Sequence, residues 1–98
     1  MCGATAGGPS LEGIDLTSQA VIQGVVTADG SPVPGAYVRL LDRSGEFTAE
    51  MPTSATGQFR FFAGDGQWTV RALAPRQQPA ERRVVATVGE VAEVTVAL

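Results

Sequence analysis

"TGQFRFFAGDGQWTVRA", Thr56 to Ala72, decides the fold class of this chain. Polar and apolar residues alternate up to Asp65-Gly66, and the alternation then resumes. That period of two is the pattern of strands with one buried face. With Asp65-Gly66 taken as a two-residue hairpin loop, Gly64 faces Gln67. Counting back, Phe61 faces Val70, Phe59 faces Ala72 and Arg60 stands opposite Arg71. Phe59, Phe61, Trp68, Val70 and Ala72 then share one buried face, while Arg60, Phe62, Thr69 and Arg71 share the other. A slip of one residue would expose the whole apolar set.

The same punctuation runs outward in both directions. "AVIQGVVT" (20–27) reads as the first strand, and "ADGSPVPG" (28–35) as a crossing whose prolines and glycines exclude a helix. "AYVRLLD" (36–42) and "EFTAEM" (46–51) flank the turn "RSG" (43–45). "PTSATG" (52–57) is a loop into "QFRFFA" (58–63), which precedes "QWTVRA" (67–72). After the connection "LAPRQQPAE" (73–81), "RRVVATV" (82–88) and "VAEVTVAL" (91–98) read as a closing hairpin around Gly89-Glu90. About seven short strands, spaced 8–12 residues apart, predict an all-β sandwich or barrel. Residues 1–18 are rich in Gly, Ser and Thr and read as a flexible N-terminal arm, leaving 19–98 as one domain.

Composition narrows the chemistry. The chain has 98 residues, a formal charge of −3, one cysteine and no histidine. An acidic balance argues against a nucleic-acid partner held by phosphate contacts. Without histidine there is no Ser-His-Asp or Cys-His nucleophile pair and no histidine-ligated metal site. One cysteine forms no internal disulfide. No stretch approaches the roughly 20 apolar residues of a membrane span. The start "MCGATAGGPS" lacks a basic and an apolar segment of a signal peptide, so the expected location is cytoplasmic. The acidic residues show no calcium-loop spacing, and "GATAGG" lacks the lysine and helix of a phosphate loop. Neither a cofactor nor a metal is expected, and the chain does not read as an enzyme.

The runs "IQGVVTADGSPVPGAYVRLLD" (22–42), "TSATGQFRFFA" (53–63) and "GQWTVRA" (66–72) resemble the carboxypeptidase regulatory-like domain. The hallmarks are an Asp-Gly-x-Pro-Val-x-Gly-Ala turn, here Asp29 to Ala36, and a Thr-x-x-x-Gly-x-Phe-x-Phe strand entry, here Thr53 to Phe61. The resemblance implies an antiparallel β-sandwich of the transthyretin (prealbumin) type over 20–98. More narrowly, "MCG", "RLLD", "EFTAE", "SATGQFRFFA" and "WTVRAL" resemble the small SseC-like proteins, a family of unknown function. Such proteins tend to be encoded beside thiosulfate sulfurtransferases (rhodaneses), which implies sulfur metabolism by association and a rhodanese as a partner. The resemblance carries no catalytic residues.

Three sets of residues are not absorbed by the architecture. Cys2, exposed as the N-terminus once the initiator Met is removed, would place a thiolate beside an α-amine and suit a sulfur acceptor; the alternative is an incidental thiol. Arg60 and Arg71, joined by Arg39, form an outward cluster suited to an anion or an acidic partner. The alternative is neutralisation by Glu46, Glu50 or Asp42. Tyr37, Leu41 and Phe62 lie on the outward parity and, joined by Phe47 if it shares that side, would make an interaction patch; the alternative is that the arm or a loop covers them. The function expected is a non-enzymatic binding or accessory module. Sulfur transfer through Cys2 is the alternative, and carbohydrate binding by aromatic stacking is a third reading. Oligomeric state cannot be read from the sequence.

Overall fold

Each run of alternating residues forms a strand in the computed structural model, which describes residues 19–98. The arm expected over 1–18, with Cys2, lies outside the described residues. The strands are β1 (Ala20–Ala28), β2 (Ser31–Pro32), β3 (Tyr37–Leu41), β4 (Phe47–Pro52), β5 (Gln58–Ala63), β6 (Gly66–Leu73), β7 (Ala80–Ala86) and β8 (Val91–Ala97). They make an all-β sandwich of two four-stranded sheets. In the β1 sheet, β1 lies between β5 and β2 on one side and β8 on the other. The β3 sheet has the order β4-β3-β6-β7. All pairs are antiparallel except β1 with β8, which is parallel.

The core is the layer where the two inner faces meet. Ile22, Val26, Phe59, Phe61 and Val96 enter from the β1 sheet, and Val38, Leu40, Val70 and Ala72 from the β3 sheet, each no more than 2% exposed. The Phe59 and Phe61 rings lie 6.0 Å apart and tilted at 49°, within the range of favourable aromatic pairs.

Two of the expected hairpins are arches between the sheets. β5 pairs with β1 and β6 with β3, so Phe61 faces Ile22 and Phe59 faces Gly24, while Val70 faces Leu40 and Ala72 faces Val38. Parity assigned these side chains to the inside correctly, yet they meet across the core instead of along one ribbon. The reason lies in the backbone. A type I′ hairpin needs positive φ at both central residues. At the first Asp-Gly, Asp29 (φ 52°) and Gly30 (φ 81°) both comply, and β1 folds back onto β2 with Ala28 opposite Ser31. At the second only Gly66 has positive φ, at 135°. Asp65 is used elsewhere: its carboxylate accepts the Val88 N–H at 2.5 Å. Val88 belongs to the connection from β7 to β8, the other supposed hairpin, whose strands pair with β6 and β1 instead. Asp65 therefore ties one arch to the other. Trp68, expected to be buried, is half-buried against the core near this end of the sandwich. Its indole Nε1–H donates to the Gly64 carbonyl at 3.0 Å.

The two halves of the sequence motif hold each other. Thr53, which follows β4, is 6% exposed. Its hydroxyl donates to the Val33 carbonyl at 2.6 Å and accepts the Ala36 N–H at 2.9 Å. Its backbone N–H donates to the Ala36 carbonyl at 2.7 Å. Thr53→Val keeps the shape and removes the hydroxyl, stranding a buried N–H and a carbonyl. The expected loss is about 2 kcal/mol in urea unfolding, with Thr53→Ser losing less.

Side chains also close the open sides of the sandwich. On one side Met51 Sδ accepts the Arg60 N–H of β5 at 3.4 Å. On the other, Arg82 of β7 donates from Nη1 to the Thr95 carbonyl of β8 at 3.4 Å. A charged side chain lying along a strand edge deters edge-to-edge pairing.

Candidate protein-interaction surface

The outward residues of the β3 sheet fall into rows that cross the strands. Registers place Pro52, Tyr37 and Leu73 side by side, then Glu50, Arg39, Arg71 and Glu81, then Leu41 with Phe47 and Thr69. Val85 lies further along β7, opposite Gln67. The pairing of β3 with β4 shifts between Leu40 and Leu41. Strict alternation from Ala49 would turn Phe47 inward; the irregularity re-aims it outward. Tyr37, Phe47 and Val85 are 54%, 61% and 63% exposed, and they are the exposed large hydrophobics among the described residues. All three lie on this one face.

The charged row explains itself locally. Arg39 and Arg71 face each other across β3 and β6, an arrangement of like charges that costs up to about 1 kcal/mol if left alone. Arg39 Nε donates to Glu50 at 2.7 Å. Arg71 Nε donates to Glu81 at 2.6 Å, and its Nη2 also meets that carboxylate. These pairs are 33–44% exposed, so each adds only about 0–1 kcal/mol of stability. They cancel the repulsion more than they hold the fold. At the rim beyond Leu41, Asp42 starts the turn into β4. The Ser44 hydroxyl, then the Glu46 N–H, hold its carboxyl below the usual carboxylate range.

The structure thus brings together Tyr37, Arg39 and Arg71 of the expected site, with Leu41 and Phe47. It separates Arg60 and Phe62 from them, because β5 belongs to the other sheet. Arg60 does not stand opposite Arg71; it faces Gln23. It keeps the outward parity of β5 but is buried there: it is 2% exposed, with Nε donating to Gln23 Oε1 at 3.0 Å. Gln23 in turn donates to Glu93 at 3.1 Å. Phe62 is half-buried opposite Val21. Glu50 neutralises Arg39 as one of the expected acids; Glu81 and Val85 were missed. Only the pairing of β7 with β6 reveals them, since their local run "AERRVV" reads as an ordinary exposed strand. Cys2 lies outside the described residues.

A shallow trough of about 230 Å³ lies on the opposite face, lined by Gln23, Val25, Gln58, Glu93 and Thr95 over the backbone of Gly24. It falls below the usual 300–1,000 Å³ of small-molecule pockets, and Gln23 there is already engaged by Arg60 and Glu93. Among the described residues no three His, Cys, Asp or Glu side chains gather as a metal site. No helix among them is long and apolar enough to cross a membrane.

A family model described as a protein of unknown function (DUF1416) matches residues 2–98. Uncharacterized proteins of Mycobacterium tuberculosis are 55% identical over 76 residues, 76% of this chain and 76% of theirs. One of Mycolicibacterium smegmatis is 62% identical over 63% of this chain and 70% of its own. Among solved structures, a DUF3823 family protein from Parabacteroides merdae has a TM-score of 0.66 at 14% identity, covering 83% of this chain and 46% of that one. The minor pilin GBS52 of Streptococcus agalactiae gives 0.66 at 15%, covering 82% and 44%. The dioxygenase domain of a carbohydrate-binding fusion from Streptomyces sp. SirexAA-E gives 0.64 at 13%, covering 96% and 92%. The chain thus spans less than half of the first two. At these identities the likeness is one of fold, a β-sandwich.

Proposed function

The chain belongs to the DUF1416 family, whose function is unknown, and we propose that it is a non-enzymatic accessory module that docks a protein partner on the outer face of its β3 sheet. The observation carrying this reading is that Tyr37, Phe47 and Val85 are all exposed on one face, the face that also carries Arg39 and Arg71. Aromatic residues and arginine are enriched at interface centres, and exposed large apolar residues sharing a face mark such a surface. The SseC-like resemblance makes a rhodanese the partner to try first, and cytoplasm the compartment in which to look.

The test is binding to a purified rhodanese by calorimetry, with the N-terminus untagged. Tyr37→Ala/Phe47→Ala is expected to weaken binding at least about tenfold, as for interface anchors, while the melting temperature moves by only a few degrees. Arg60→Ala is expected to act on stability instead. Cys2→Ser separates docking from sulfur transfer: a docking module retains its affinity. Unchanged affinity in the Tyr37/Phe47 variant would remove this face from the proposal.

A further inference from the structure

Resting on the docking reading above, we infer that this face accepts an acidic strand of the partner, with a single carboxylate seated between Arg39 and Arg71 and apolar side chains on either side of it. Each arginine spends Nε on its own glutamate, and Arg71 also spends Nη2. Both arginine side chains nevertheless stay 44% and 41% exposed, so each guanidinium still presents N–H donors to the solvent side of the sheet. Arg39 and Arg71 are direct cross-strand partners, so one carboxylate lying between the two strands can draw a charge-assisted hydrogen bond from each side chain. The row as a whole is neutral, two Arg against two Glu. Glu50 and Glu81 at its ends therefore repel a doubly charged anion, and one carboxylate suits the gap better than a phosphate.

The rows on either side set the spacing. Tyr37, Arg39 and Leu41 are successive outward residues of β3, about 6.7 Å apart along the strand. A partner strand lying over them repeats its own facing side chains at the same interval, so it reads apolar-x-acidic-x-apolar. A helix repeats a face every three or four residues at about 5–6 Å and falls out of step. A second copy of this chain is also excluded as the occupant in register. From β4 to β7 the row reads Glu, Arg, Arg, Glu, the same in both directions. Either two-fold stacking of the face on itself sets Glu on Glu and Arg on Arg, which is repulsive.

The probe is acetyl-Thr-Val-Thr-Glu-Thr-Val-Thr-amide, with Gln and Lys counterparts at its centre, titrated into the full chain and followed by NMR. The Glu peptide is expected to shift the Arg39 and Arg71 Nε–H signals and the Tyr37 and Leu41 amides. It should bind about fivefold more tightly than the Gln peptide, with the Lys peptide weakest. In Arg39→Gln/Arg71→Gln the Glu-to-Gln ratio should fall to about one while the Gln peptide still shifts Tyr37 and Leu41. Equal binding of the Glu and Gln peptides to the native chain overturns the inference and leaves the docking face standing. A titration in which no peptide moves Tyr37, Leu41 or Phe47 overturns both.

Discussion

Gly24→Ala should lower the stability of the domain by about 3 kcal/mol or more, the range of severe core disruptions. Gly24 lies mid-strand in β1, flanked by Phe59 of β5 and Val94 of the parallel strand β8. A Cβ built there meets the Val94 carbonyl oxygen at 1.7 Å and the tip of the Phe59 ring at 3.1 Å. The ring could turn aside. The carbonyl belongs to the backbone of a paired strand and moves only if β8 slides away from β1. Since β1 joins both wings of its sheet, that shift would spread to the core. A melting temperature lower by about 15 °C is the expected reading for a domain of this size. Gly64→Ala is the control: a Cβ there meets nothing within 4 Å and should leave the melt almost unchanged. Phe59→Leu placed on Gly24→Ala should not rescue it, because the obstacle is backbone. A melt of Gly24→Ala within two or three degrees of the native protein would show that β1 and β8 do not approach as described.

Phe61→Ala is expected to cost about 4 kcal/mol, read from the midpoint of urea unfolding at an unchanged slope. Phe61 is 1% exposed in the layer between the sheets and packs its ring on Phe59. Its removal forfeits the transfer energy of the ring and leaves a cavity that neighbouring strands, pinned by their ladders, fill only in part. Phe62→Ala, one residue on and on the outer parity of the same strand, should cost markedly less. Reversal of that order would mean that β5 is turned over.

The alternation around Thr56–Ala72 was enough to sort buried from exposed side chains. Phe59, Phe61, Val70 and Ala72 point inward, Arg71 points outward, and both facts follow from a period of two that no neighbouring strand can alter. What alternation does not carry is the identity of the neighbour. Both Asp-Gly pairs carry the same hairpin signal, yet only Asp29-Gly30 turns a strand back on itself. Asp65 bonds Val88, a residue 23 positions away, and that tie has no local mark. The error passed directly to the candidate site: pairing β5 with β6 set Arg60 beside Arg71, whereas Arg39 of β3 is the residue across from it. Phe47 shows a second limit, since a single irregularity in β4 decides its face.

From sequence alone, this protein was determined to be an all-β domain with seven of its eight strands, all but the short β2, an inward set of apolar residues and an outward set containing Tyr37, Arg39 and Arg71. Those properties depend on the chirality and pleat of the chain, on the fixed φ of proline and on the freedom of glycine, all of which act over a few residues. Only the tertiary structure decided which strands share a sheet, and therefore that Glu50, Arg39, Arg71 and Glu81 form one row while Arg60 is buried on the other sheet. Strand partners are chosen by how two faces close over a common core, a balance of burial and backbone hydrogen bonding summed over the whole domain. No short stretch of the chain contains that sum.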